Sequence, residues 1–135
     1  MMRKCLYFLC FSLGLLVQMA CSSDDADKLT AKWQLRYYEN TDGSVQKVDS
    51  IFYNFQKGSF SAICLQPDGT YYSFFGNYSL QDDKISIILL PEYEGILYDR
   101  YMGWMDHQRA FHIDELSSSV LRLRFEDTVS VFRKY

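Results

Sequence analysis

From Ala31 onward, apolar and polar positions alternate with a period of two, and turn signals interrupt the alternation every few residues. Lys32 to Tyr37 puts Trp33, Leu35 and Tyr37 on one face, and Asn40-Thr41-Asp42-Gly43 closes that strand. Ile51 to Gln56 aligns Ile51, Tyr53 and Phe55, and Lys57-Gly58 turns the chain into a strand from Phe60 to Gln66. Pro67-Asp68-Gly69 is a turn, because proline fixes φ and glycine accepts a positive one. The strand from Thr70 to Leu80 aligns Tyr72, Phe74, Gly76, Tyr78 and Leu80, with mid-strand Gly76 marking a bend or bulge. Gln81-Asp82-Asp83-Lys84 then turns into Ile85 to Leu90. Three further strands follow at Ala110 to Leu116, Val120 to Phe125 and Thr128 to Lys134. In the second of these, Leu121, Leu123 and Phe125 face opposite to Arg122 and Arg124. About eight strands in sequence with short turns predict an all-β antiparallel fold, a closed up-and-down barrel or a sandwich.

One connection breaks this rhythm. Pro91 to Gln108 spans 18 residues yet carries Tyr93, Ile96, Leu97, Tyr98, Tyr101, Met102, Trp104 and Met105. Long connections in compact domains are uncommon and often functional. Leu97, Tyr101, Trp104 and Met105 fall at helical spacing, which predicts a short helix around 94–105. Its apolar stripe suits a plug in one end of the fold, with a lid over a ligand cavity as the functional counterpart.

The N-terminus has a different pattern. Arg3 and Lys4 precede twelve residues, Leu6 to Val17, of apolar character. A membrane-spanning helix needs about 20 such residues, so residues 1–20 are expected to be a removed signal peptide. The run Gln18-Met19-Ala20-Cys21 resembles the bacterial lipoprotein signal Leu-(Ala/Ser)-(Gly/Ala)-Cys; Ala20 and Cys21 match, while Gln18 and Met19 depart from it. Cys21-Ser22-Ser23-Asp24-Asp25 resembles the acidic export tag of Bacteroidota surface lipoproteins. The resemblance implies lipidation at Cys21, attachment to the outer membrane and exposure at the cell surface. Residues 21–28 would be a flexible acidic tether and residues 29–135 the folded domain.

Loss of residues 1–20 from the 135-residue chain leaves 115, enough for one domain. It also removes Arg3 and Lys4, taking the net charge from −3 to −5. With no basic run, nothing suggests a nucleic-acid partner. Of the four cysteines, Cys5 and Cys10 leave with the leader and Cys21 is the lipid site. Cys64 is left alone in an apolar run, where a buried, inert thiol is expected and no internal disulfide can form.

Lys32-Trp33-x-Leu35, Gly76-x-Tyr78-x-Leu80, Ile85-x-Ile87 and Val131-Phe132-Arg133-Lys134 together resemble the lipocalin-like lipoprotein domains of Bacteroidota, which include families of unknown function. The resemblance covers residues 29–135 and implies an eight-stranded lipocalin-like barrel. Lipocalins proper carry Gly-x-Trp in the first strand; Ala31 stands in the glycine's place and Trp33 matches. The family pattern also implies a basic residue over that tryptophan, Arg133 or Arg124 here.

Chemistry is sparse. Asp106-His107 are neighbours whose side chains would diverge on a strand, and His112 and Asp114 would share one strand face. Neither makes a metal site, which takes three or four ligands. The carboxylate pairs Asp82-Asp83, Asp114-Glu115 and Glu126-Asp127 lie in or beside turns. The chain is therefore expected to be no enzyme and to use no cofactor. A lipocalin-like barrel would bind a small apolar or amphiphilic ligand, lined by Trp33, Tyr37, Tyr72, Phe74, Tyr101 and Trp104. The alternative is a filled barrel whose surface binds an envelope protein or glycan, a role that suits the eleven tyrosines.

Overall fold

A computed structural model of the chain describes residues 25–91 and 97–135. The expected signal peptide, the expected lipidation site Cys21 and the expected tether residues 22–24 lie outside the described residues, as does part of the long connection (92–96). Helical residues 25–29 (α1) lead into nine strands: β1 (Lys32–Glu39), β2 (Val45–Lys47), β3 (Ile51–Gln56), β4 (Ser59–Leu65), β5 (Tyr71–Gln81), β6 (Lys84–Leu89), β7 (Gln108–Leu116), β8 (Val120–Phe125) and β9 (Thr128–Lys134). A second helix, α2 (Leu97–Met102), lies between β6 and β7.

Every strand pairing is antiparallel, and β1 pairs with β9, so β1 and β3 to β9 close into an eight-stranded barrel. β2 is an addition to the eight expected strands. It pairs only with Tyr37 to Glu39, while β3 holds the other half of the same β1 edge at Lys32 to Gln34. Closure leaves almost no free edge, which suits a lone domain without disulfides.

The interior is filled. Trp33, Leu35, Phe55, Phe60, Phe74, Ile85, Ile87, Leu121, Leu123 and Phe132 are all but completely buried. Tyr53 sits among Phe60, Phe132, Phe111 and Trp104, with ring centroids 4.8 to 6.5 Å away. Each such side chain contributes about 1.5–3 kcal/mol by leaving water. Gly76 faces inward, where any side chain would run into the Ile88 carbonyl of β6. The bend expected there is in physical terms a close backbone approach.

The two ends of the barrel are built differently. At one, Leu29 of α1 is fully buried and its carbonyl accepts a hydrogen bond from Trp33 Nε1 at 3.0 Å. Residues 25–28, expected in the tether, are therefore helical, because Leu29 is needed as a stopper and the chain must approach it. At the other end α2 lies across the β4 side and buries Met102 and, just beyond it, Trp104. Gly103, at φ +74°, donates to Asp99 O at 3.1 Å and stops the helix. The helical phase ends there, so Trp104 turns into the barrel while Met105, expected on the same stripe, is 82 % exposed. The segment is a plug that covers part of the opening.

Candidate functional site

The six residues expected to line a ligand cavity do not meet in one. Trp33, Phe74 and Trp104 are packing: Trp33 fills the closed end, and Trp104 donates from Nε1 to Tyr53 Oη at 3.0 Å. Tyr72 and Tyr101 stack on each other at the open rim, centroids 4.1 Å apart and planes 19° apart. Tyr37 faces outward. A register shift between Leu35 and Tyr37 breaks the period-two phase, so Tyr38 packs against the core in its place.

The concavity at the open end lies beside α2, between β1 and the β7–β9 wall, and holds about 400 Å³. Tyr38, Phe125, Thr128 and Ser130 form its sides, and Asn40, Gln46, Met105 and Glu126 its rim. Arg109 is its floor. The guanidinium lies over Phe125 at 3.8 Å, Trp104 at 5.0 Å and Phe111 at 5.8 Å from the ring centroids. Its hydrogen bond is a long one, from Nη2 to Gly103 O at 3.5 Å, and among the described residues no carboxylate lies within ion-pair distance. Burial lowers the pKa of Arg109 and raises that of the Tyr38 phenol. At neutral pH Arg109 remains charged and Tyr38 neutral.

Arg109 was legible but missed. In Gln108-Arg109-Ala110-Phe111-His112-Ile113, the arginine shares the period-two face of Phe111 and Ile113. A charge on an apolar face is the signal, and starting the strand at Ala110 hid it.

A larger hollow of about 560 Å³ lies on the outer wall, across Tyr37, Val45, Val120 and Val131, rimmed by Arg36, Lys47, Arg122 and Arg133. Arg122 is committed to a bidentate pair with Glu39. Lys47 and Arg133 are exposed, so their charges are solvated and ask for no ligand. On another part of the wall, Leu65, Tyr71, Phe75 and Ile88, with Leu90 just past the end of β6, form an exposed apolar stretch on the outer side of β4, β5 and β6.

Among the described residues no basic side chain lies over Trp33. Arg124 pairs with Asp114 and Arg133 points outward, because both occupy outer positions of their strands while Trp33 is inside. The described stackings involve Arg109, Arg100 on Tyr101, and Lys32, which lies 5.1 Å over Phe52 and 4.9 Å over Tyr135. The histidines are each tied locally. His107 Nδ1 lies 2.7 Å from Asp106 Oδ1, a contact not expected, made because both residues precede β7 and escape strand geometry. His112 Nδ1 lies 3.0 Å from Asp114 Oδ1. Burial pushes the Cys64 thiol up to about 12, which fits an inert role.

Comparison with known proteins agrees with this architecture. A family model described as "Lipocalin-like domain" matches residues 14–135. A lipocalin-like protein from Bacteroides uniformis ATCC 8492 is 57 % identical, with a TM-score of 0.74, covering 80 % of this chain and 99 % of that one. An uncharacterized protein from Bacteroides eggerthii DSM 20697 is 46 % identical, with a TM-score of 0.71, covering 79 % and 99 %. A protein from Burkholderia xenovorans shares the fold alone, at 16 % identity and a TM-score of 0.52 over 83 % of this chain and 87 % of that one. No curated protein matches the chain. With a filled eight-stranded barrel, a stoppered end and a family match across nearly its whole length, the chain belongs to the lipocalin-like domain family.

Proposed function

We propose that this is a non-catalytic lipoprotein, anchored to the outer membrane through Cys21, whose barrel binds a small amphiphilic ligand at its open end. The observation that carries the binding reading is the concavity of about 400 Å³ over Arg109, which mixes aromatic, hydroxyl and charged lining. Below it the barrel is packed solid, so the ligand would sit in the mouth and not along the axis. The anchor is supported by the leader pattern ending in Ala20-Cys21 and by relatives from Bacteroides. The absence of catalysis is supported by two exposed histidines, each held by its own neighbour and apart from the concavity.

Native mass spectrometry of residues 22–135, purified from the host, tests the reading. A co-purifying small molecule that is lost in Thr128→Trp, which fills the mouth, and kept in Tyr37→Ala on the outer wall is the expected result. Adducts that ignore Thr128→Trp would refute it. Labelling with an alkyne fatty acid, abolished in Cys21→Ser, tests the anchor.

The apolar outer stretch around Phe75, itself 58 % exposed, favours a second reading as a surface interaction module. A photo-crosslinker at position 75 would give one discrete adduct in cells under that reading, and a diffuse smear or none without it.

A further inference from the structure

We propose that the ligand of the open end carries an oxyanion head group, and that Arg109 is the residue that binds it. The inference rests on the mouth-binding reading above and goes further by naming the chemistry of the ligand. Arg109 projects inward from β7 on the same face as Phe111 and Ile113. An inward cation on a barrel wall loses hydration, and such a charge is normally compensated by a paired carboxylate or several acceptors. Here no carboxylate compensates it, and the nitrogens without a protein partner stay open to solvent, since among the described residues no buried side-chain nitrogen is left unbonded. The guanidinium carbon lies 3.8 Å over the Phe125 ring, with Trp104 at 5.0 Å and Phe111 at 5.8 Å, and Gly103 O takes one long hydrogen bond. Glu126 lines the same concavity but stands beyond ion-pair distance at the tip of the β8–β9 turn.

A guanidinium has five N–H donors in a fixed fork. Gly103 O takes one of them, and only at 3.5 Å, which leaves donors of the fork for a carboxylate, sulfonate or phosphate oxygen pair. The surroundings suit such a head group. Thr128 and Ser130 place hydroxyls on the same wall, and Tyr38 adds a phenol that burial keeps protonated and able to donate. Met105 and Phe125 supply apolar surface for the remainder of the molecule. The outer hollow makes a useful contrast: it has more cations, but Lys47 and Arg133 are exposed, Arg122 is paired with Glu39, and Arg36 donates to Gln34 Oε1 at 3.3 Å.

Two fluorescent probes of nearly the same shape separate this inference from the reading beneath it: anilinonaphthalene sulfonate, which is anionic, and phenylnaphthylamine, which is neutral. All of the described fold lies within residues 22–135, and that form of the protein is titrated with each. The expected result is sulfonate binding at least about tenfold tighter than the neutral probe, the size of one charge-assisted contact. Arg109→Gln should abolish the preference and Arg109→Lys, which keeps the charge but not the fork, should leave a reduced one, with amide spectra of each variant confirming the fold. Equal affinity for the two probes, both displaced by Thr128→Trp, would overturn the oxyanion inference and leave mouth binding standing. A preference that survives Arg109→Gln would also overturn it, since the anion would then sit elsewhere. Binding of neither probe, or binding indifferent to Thr128→Trp, would bring down the mouth reading and the inference together. If Arg109→Gln does not fold, the wild-type ratio and Arg109→Lys still decide.

Discussion

The two ends of the barrel are made from the same eight strands and have been finished in opposite ways. At the closed end the hydrogen bonds run inward: Trp33 Nε1 is satisfied by Leu29 O, Leu29 seals the opening, and Phe55 N donates back to Ala31 O at 3.0 Å. At the open end an arginine is left on top of the core with aromatic faces beneath it and little to bond to. A fold assembled only for stability would have placed a leucine there, or an acid opposite. The difference separates what the chain devotes to staying folded from what it holds available.

The comparison breaks most easily at Trp33. Trp33→Ala removes the largest closed-end side chain and its hydrogen bond, and should cost about 3–5 kcal/mol in denaturant unfolding. Thr128→Ala at the open end should stay within about 0.5 kcal/mol. Similar costs at the two positions would mean that the ends are not different in kind.

The boundary between the regions is the Trp104–Tyr53 hydrogen bond, 3.0 Å long and wholly buried. Tyr53→Phe keeps the ring and strands the indole N–H, for an expected loss of about 1–3 kcal/mol. The near-ultraviolet dichroism of Trp104 should change with it. An unchanged stability would place Trp104 in contact with solvent or water-bonded, and the open end would then begin deeper than the structure indicates.

Arg109→Met should move stability by less than about 1 kcal/mol, in either direction, because lost ring contacts offset relief from burying an unpaired charge. A cost as large as that of Trp33→Ala would make Arg109 a structural residue and remove the contrast between the ends.

Much of this was written in the period-two pattern. Strand order, the hairpins at Lys57-Gly58, Asp82-Asp83 and Glu126-Asp127, and the burial of Cys64 follow from local alternation and turn chemistry. What did not follow were the places where phase is lost. The irregularity after Leu35 swaps Tyr37 for Tyr38, and Gly103 ends the helical phase, so Met105 leaves the stripe it was expected to share with Trp104. Of the six-residue lining read from the sequence, the first event sent Tyr37 to the outer wall, while Trp33, Phe74 and Trp104 went into the core and Tyr72 and Tyr101 to the rim. Aromatic residues mark burial well, but they do not tell a filled barrel from a hollow one, since the same side chains serve either. The informative residue was the misplaced charge at Arg109.

The smallest expected effect tests whether the wall between the ends is neutral ground. Asp114 bulges out of β7 between Ile113 and Glu115, where Arg124 grips its carboxylate with two hydrogen bonds and His112 adds a third. The hydrogen bond from Arg124, ahead of that from His112, holds the carboxyl below its usual range. A depressed carboxylate stabilises the fold fully above the unfolded value, near pH 4, and loses that contribution as the pH falls through its folded value. Asp114→Asn should therefore cost less than about 1 kcal/mol at pH 7, as exposed pairs do, and its stability curve should converge on the wild type below about pH 4. Because the pair joins β7 to β8 in mid-wall, acid should loosen both ends together, and Trp33 and Trp104 should report one transition. Two separate transitions would show that the ends unfold independently, which would sharpen the division between them into one of cooperativity as well as chemistry.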